Sequence, residues 1–146
     1  MVKRRFWLRR IRDAGKRRSL VWLMGARRTG KTVLCQCLPE AEYFDCELPS
    51  VRRILRDVEA FFGERPNQTV VLDEIHRLEN PSEVLKLAAD HFPHIKVIAT
   101  GSSTLGASAR FRDTLAGRKA DIHLTPMNSA DLADFAGSEL KHRLRN

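Results

Sequence analysis

The sequence predicts an α/β fold in which helices cover both faces of a parallel β-sheet. Short continuous apolar runs, such as "LVWLM" and "TVVL", alternate along the chain with segments of helical periodicity. Such runs are typical of strands buried on both faces, and their alternation with helices is typical of parallel sheets. A glycine-bounded loop after the first strand and an acidic pair after the third indicate a ligand site at one edge of the sheet.

The chain begins with a strongly basic segment that is predicted to be helical over residues 3–17 and to end near Gly15. Residues 1–28 carry 11 Lys or Arg against one acid, Asp13, whereas the rest of the chain has a net charge of −2. We therefore expect a basic N-terminal helical arm, residues 1–17, that binds DNA or another acidic partner. A solvated helix face is the alternative. The residues expected to face inward are Phe6, Trp7 and Ile11.

The remaining elements follow in alternation. Five strands are predicted, at about residues 20–24, 41–45, 69–72, 95–100 and 120–125. Helices are predicted between them at about residues 31–38, 49–62, 80–91 and 104–115, and a last helix opens at Asn128 or Ser129. Asn80 and Glu83 suggest a capping box with Pro81 at the first helical position. No linker long enough to separate two domains is seen in the 146 residues.

The apolar runs and the cysteines of the sequence indicate in which compartment the protein is found. No apolar run approaches the length needed to cross a membrane, and the basic N-terminus lacks the apolar run of a signal peptide. We therefore expect a cytoplasmic protein without a membrane partner. The cysteines, Cys35, Cys37 and Cys46, form no C-x-x-C pair, so we expect reduced and mostly buried thiols.

The loop "GARRTGKT" has the spacing G-x-x-x-x-G-K-T and lies between a buried strand and a helix. Its backbone N–H groups and the helix N-terminus can bind phosphate oxygens, and the glycines permit close approach. Lys31 can reach the β- and γ-phosphates, and the Thr32 hydroxyl can ligate Mg²⁺. The predicted nucleotide-binding residues are Gly25, Arg28, Thr29, Gly30, Lys31, Thr32 and Val33.

Two acidic residues, Asp73 and Glu74, follow the third strand directly. In a parallel sheet this strand end lies beside the phosphate loop. Asp73 suits a magnesium site together with Thr32, whereas Glu74 suits the general base that activates water for attack on the γ-phosphate. His76 follows, and we interpret it as structural or solvated.

Polar residues also follow the fourth strand, in "IATGSS". Ser102 or Thr100 is predicted to lie between the attacking water and the γ-phosphate, where it would sense the bound nucleotide. The alternative is that these hydroxyls cap the next helix. Further along, "LAGR" places Arg118 before the last strand, and Gly117 fits a helix C-terminus.

The motifs "GARRTGKT", "VVLDEIHRL", "NPSEVLKL", "KVIATGSS" and "LAGR", in this order and with these gaps, resemble those of AAA-type P-loop ATPases. The resemblance is to the bacterial and archaeal family with an uncharacterised C-terminal domain, and it covers about residues 18–136. It implies a three-layer α/β/α P-loop NTPase fold with a five-stranded parallel sheet of order 5-1-4-3-2. Residues 18–146 would then be the ATPase core and the start of a lid helix, without the rest of the lid or the C-terminal domain.

The resemblance also implies ATP and Mg²⁺ as ligands and ATP hydrolysis as the activity. Arg118 would be an arginine finger that reaches the ATP of a neighbouring subunit, which implies a homo-oligomer; a surface arginine paired with an acid such as Asp121 is the alternative. The expected function is an ATPase core that couples nucleotide state to a partner. A non-hydrolysing nucleotide switch and a basic nucleic-acid-binding module are the alternatives. The predicted catalytic residues are Lys31, Glu74, Ser102 and Arg118.

Overall fold

The structure is a computed structural model that describes residues 5–25, 35, 38, 40–65 and 68–124. Its strands are β1 (Leu20–Met24), β2 (Ala41–Asp45), β3 (Thr69–Asp73), β4 (Lys96–Thr100) and β5 (Lys119–His123). They form one sheet of order β2-β3-β4-β1-β5, and every neighbouring pair is parallel. The parallel sheet and its order, 5-1-4-3-2 from the other side, are therefore confirmed.

The register of the sheet brings the carboxyl ends of the strands to a common edge. Leu23 near the end of β1 pairs with Thr100, the last residue of β4. Asp45 at the end of β2 pairs with Asp73 at the end of β3. Side chains at these ends can therefore act together although they are far apart in the sequence.

One face of the sheet is covered by helix α1 (Arg5–Arg17). Trp7, Ile11 and Ala14 of this helix are buried against apolar side chains of β1, β3, β4 and β5. Gly15 does not end the helix. It is buried within the helix, and its carbonyl accepts a hydrogen bond from the Lys96 ammonium group.

The other face carries the five further helices that the structure describes in full, and their apolar side chains form a second core. The largest buried side chains of this core include Trp22, Phe62, Leu72, Leu85 and Phe111. With α1 on the opposite face, the molecule is a three-layer α/β/α sandwich. The helices are α2 (Pro49–Ile54), α3 (Val58–Gly63), α4 (Pro81–His91), α5 (Ser103–Ala107) and α6 (Ala109–Thr114).

Two helices that were predicted as continuous are each divided in the structure. Asp57 starts α3 by accepting a hydrogen bond from the Ala60 N–H at 3.1 Å. Ser108 starts α6 in the same way, with the Phe111 N–H at 3.4 Å. Such side-chain caps compete with a continuing helix. Asn80, by contrast, makes no capping hydrogen bond with its side chain, although Pro81 does open α4.

The described cysteines behave as expected. Cys35 and Cys46 are buried thiols, and Cys37 lies outside the described residues. Burial and the neighbouring Asp45 carboxylate raise the pKa of Cys46 to about 12, so this thiol stays protonated at neutral pH. Among the helices that the structure describes, none is long and apolar enough to span a membrane.

Candidate active site

Asp73, the last residue of β3, is a buried carboxylate at the carboxyl edge of the sheet, with 1% of its surface exposed. Its Oδ2 accepts a hydrogen bond from the Tyr43 hydroxyl at 2.5 Å, and its Oδ1 accepts one from the Thr100 hydroxyl. A buried carboxylate is stable only when it is well hydrogen-bonded. Hydroxyl groups from the strands on either side therefore fix the orientation of Asp73.

Tyr43 was not predicted as part of the site. Burial, followed by its hydrogen bond to Asp73, raises the pKa of Tyr43 well above its ordinary value, so the phenol stays a donor. The sequence does contain a signal for this contact once the strand order is known. Tyr43 pairs with Val71, and Asp73 lies two residues further along β3, so Tyr43 and Asp73 share a face of the sheet.

Glu74 has a backbone conformation that is rare outside glycine, with φ 58° and ψ 46°. Such a left-handed residue costs roughly 1–2 kcal/mol. Its N–H donates a hydrogen bond to the Thr100 hydroxyl at 2.9 Å, so Thr100 contacts both members of the acidic pair. The Glu74 side chain is 29% exposed and thus accessible to water. The chain turns sharply here, and Asp73 stays inside while the Glu74 carboxylate lies at the surface of the site.

The polar residues after β4 have two different roles. Thr100 is fully buried and connects Asp73 to the backbone of Glu74. The Ser102 hydroxyl accepts a hydrogen bond from the Leu105 N–H at 3.1 Å and caps α5, as the alternative interpretation held. The Ser102 N–H donates to Nδ1 of His76 at 3.1 Å. Contact of Ser102 with a γ-phosphate stays a prediction.

Arg118 lies before β5, at the opposite edge of the sheet from Asp73. Its guanidinium forms a bidentate pair with Asp90, with N···O distances of 2.8 and 3.2 Å, and also donates to the Thr114 carbonyl. The hydrogen bond from Arg118 lowers the pKa of Asp90. Asp121 instead binds Lys119. Arg118 is therefore not part of the Asp73 site within one chain, and its role as a finger stays a prediction.

The predicted phosphate loop begins where β1 ends, next to the end of β4. Gly25 is the last described residue before it. The predicted loop residues Arg28, Thr29, Gly30, Lys31, Thr32 and Val33 lie outside the described residues.

A magnesium ion fits the chemistry of Asp73. Mg²⁺ keeps several waters and is usually bound through one or two carboxylates and the phosphates of its substrate. Asp73 supplies one fixed carboxylate whose two oxygens already accept hydroxyl hydrogen bonds, which suits a contact through water. The described residues contain no group of three or more His, Cys, Asp or Glu side chains that could hold a metal ion.

The parallel sheet of order 5-1-4-3-2 and the acidic pair at its carboxyl edge, after β3, define a P-loop NTPase of the AAA type. The family model described as "AAA domain" matches residues 17–133 of the sequence, and the chain belongs to this family. None of the curated proteins matches the sequence.

Among the solved structures that share the fold are two with similar TM-scores. The first is the Walker-type ATPase PABY2304 of Pyrococcus abyssi, with a TM-score of 0.66 and 18% identity. The second is the ORC1 protein of Aeropyrum pernix in complex with DNA, with a TM-score of 0.61 and 15% identity. Each match covers 97% of this chain, but only 59% of the first protein and 50% of the second. The matched region thus spans 59% of the length of the first protein and half of the second.

Proposed function

We propose that the protein binds Mg-ATP and hydrolyses it, and that the nucleotide state is transmitted to a partner. The observation that carries the proposal is the pairing of a buried, oriented Asp73 with a water-accessible Glu74 at the strand edge where the phosphate loop begins. A purely structural role would not explain this arrangement. A buried carboxylate and a glutamate with a left-handed backbone each lower the stability of the fold.

In this proposal each residue has a separate task. Lys31 and the loop backbone bind the phosphates, and Thr32 and Asp73 hold Mg²⁺, which neutralises charge on the phosphate oxygens. Glu74 orients a water and accepts its proton. The loop residues proposed to contact the nucleotide are Gly25, Arg28, Thr29, Gly30, Lys31, Thr32 and Val33.

Two variants test the binding and the chemistry separately. In isothermal titration, Lys31→Ala should lose ATP binding, because it removes the charge that reaches the β- and γ-phosphates. Glu74→Gln should keep ATP binding but hydrolyse at least ~100-fold more slowly, the usual weight of a general base. Glu79→Gln, the same change at an exposed position nearby, is the control. Turnover by Glu74→Gln at the wild-type rate would show that Glu74 is not the base, and a wild type that binds but does not hydrolyse would favour a nucleotide switch.

Arg118 fits the proposal as a finger toward the ATP of a neighbouring subunit in a homo-oligomer. It is one third exposed, and its partner Asp90 is equally exposed, so the pair can exchange for another anion. Activity per molecule should then rise with protein concentration. Arg118→Ala should bind ATP but turn over slowly, and mixing it with Lys31→Ala should restore some activity. A concentration-independent rate with a fully active Arg118→Ala would show a structural ion pair only.

A second function, binding of DNA or another polyanion, is favoured by the outer face of α1. Four basic residues recur there at helical spacing i, i+4, i+7 and i+11 and form one stripe: Arg5, Arg9, Arg12 and Lys16. Because Trp7 and Ile11 anchor the opposite face of α1 in the core, the stripe is held on a rigid element. The structural relative from Aeropyrum pernix was solved with DNA, which agrees with this proposal.

Charge reversal of Arg9 and Arg12 together tests this second function. If both contact phosphates, duplex DNA affinity should fall for every sequence, and the slope of log K against log salt should decrease by about 2. Reversal of Arg110 and Arg112, which are exposed on α6 at the other face of the sheet, is the matched control. Equal losses in both double variants would indicate a general charge effect and not a binding stripe.

A further inference from the structure

The imidazole of His76 lies between the loop after β4 and the carboxylate of Glu74. Its Nδ1 accepts a hydrogen bond from the Ser102 N–H at 3.1 Å. Its Nε2 is 3.5 Å from Oε2 of Glu74. Each ring nitrogen of His76 therefore faces a different partner, and the ring bridges two segments that are 26 residues apart in the sequence.

These contacts determine the tautomer of the neutral ring. Because Nδ1 accepts a hydrogen bond from a backbone N–H, it carries no proton, and the ring proton must be on Nε2. An ionised carboxylate is an acceptor only, so the Nε2–H of His76 faces a matching partner in Glu74. A small approach of the two groups would turn the 3.5 Å contact into a hydrogen bond, as is common when a catalytic site binds its substrate.

The backbone on both sides of the ring is held in place. His76 lies in a short 3-10 turn, Ile75–Arg77, that is anchored by the fully buried Ile75. On the other side, Gly101 lies directly against the ring of Trp22, where a β-carbon would approach Cη2 to 2.8 Å. The Ser102 hydroxyl caps α5. The Ser102 N–H is therefore a fixed donor, and the imidazole it orients is fixed as well.

The end of β4 thus contacts Glu74 in two ways. Thr100 binds the backbone N–H of Glu74 directly, and Ser102 reaches its carboxylate through His76. A displacement of residues 100–102 would move both the backbone and the carboxylate of Glu74.

We propose that His76 is a positioning residue that orients the Glu74 carboxylate and couples it to the end of β4. This role rests on the proposed ATPase function, in which Glu74 is the general base. In this role His76 acts through the Glu74 carboxylate and not by direct contact with the nucleotide or the attacking water. It should therefore affect the rate of hydrolysis and leave ATP affinity unchanged.

The first experiment measures the contact without any turnover. In a two-bond ¹H–¹⁵N correlation spectrum of the full chain, the five histidines are observed directly, and His76→Phe assigns one of them. The spectrum should show His76 protonated at Nε2 and unprotonated at Nδ1, and Glu74→Gln should shift its Nε2 resonance. Protonation at Nδ1, or no effect of Glu74→Gln, would overturn the proposal.

The second experiment compares two amides that differ by one methylene. In His76→Asn the side-chain oxygen can replace Nδ1 toward Ser102, but the side chain is too short for Glu74. In His76→Gln the amide can reach Glu74. We expect kcat to fall about 10- to 100-fold in His76→Asn and His76→Phe, a common loss when an orienting group is removed. His76→Gln should recover much of the rate, with KM, ATP affinity and Tm nearly constant.

The third comparison separates positioning from general destabilisation. In a Glu74→Gln background, His76→Phe should cause no further loss of rate, because the group that it orients is already gone. A full additional loss there, or wild-type kcat in His76→Phe, would overturn the role. If the wild type binds Mg-ATP and does not hydrolyse it, the proposed function fails, and the positioning role fails with it. The nuclear magnetic resonance experiment still reports whether His76 and Glu74 are in contact.

Discussion

Two aspartates at opposite edges of the sheet are held in contrasting ways. Asp73, at the carboxyl edge, is buried and accepts hydrogen bonds from the hydroxyls of Tyr43 and Thr100. Asp90, at the amino edge, is one third exposed and binds the guanidinium of Arg118. Burial makes the geometry of Asp73 rigid and the loss of a partner costly, whereas solvent can replace the partner of Asp90. The carboxyl edge is thus suited to fixed chemistry and the amino edge to exchangeable contacts.

The largest expected effect comes from Thr100→Val, which removes one hydroxyl of similar volume from the buried site. Asp73 loses a donor, and the Glu74 N–H loses its acceptor. We expect the free energy of unfolding to fall by about 3 kcal/mol, since two buried groups lose a partner, one of them charged. Urea unfolding measures the change. Thr69→Val is the control, because Thr69 is half-buried at the start of β3, away from Asp73. An equal loss of stability in Thr69→Val would contradict the comparison.

Tyr43→Phe should have a smaller effect of about 1.5 kcal/mol, the lower range for a hydrogen bond to a charged group. It should also change the pH dependence of stability. The folded state raises the pKa of Tyr43, so the unfolded phenol loses its proton first, from about pH 10. The wild type should therefore lose stability as the pH rises above this value, and Tyr43→Phe should lose less. Identical alkaline unfolding curves would mean that the phenol does not contribute.

Asp90→Asn should have the smallest effect on stability, with no measurable change in Tm at neutral pH. The pair is exposed, and its attraction is screened by water and salt. Because the pKa of Asp90 is lowered, any contribution is present above the ordinary aspartate pKa and disappears as the pH falls through the lowered one. Differential scanning calorimetry at two salt concentrations checks this. A large decrease in Tm would place Asp90 with Asp73 as a rigid structural pair.

The sequence was sufficient to predict the five strands. Three of them, β1, β3 and β4, are short apolar runs, whereas the less apolar β2 and β5 follow from the alternation of strands and helices along the chain. The sequence did not predict the helix breaks, because apolar residues recur at helical spacing across Leu55 and Val58, and the break depends on the capping side chain of Asp57. The acidic pair could be predicted from its position after an apolar strand. Tyr43 was missed although the strand order that the resemblance implies places it on the same face of the sheet as Asp73. The contact of His76 could not be predicted, because it depends on the left-handed backbone of Glu74.

The close seating of Gly101 on Trp22 also gives the protein a built-in optical reporter. The chain has two tryptophans, Trp7 in α1 and Trp22 in β1. Trp22 is buried, and its indole faces the segment after β4, where an added β-carbon would lie 2.8 Å from the ring at Gly101 and 3.3 Å from it at Gly106. Trp7→Phe would leave Trp22 as the single tryptophan, in the middle of the strand that leads into the predicted phosphate loop. Its fluorescence would then follow displacements of the segment that contacts Glu74, in real time and without a label.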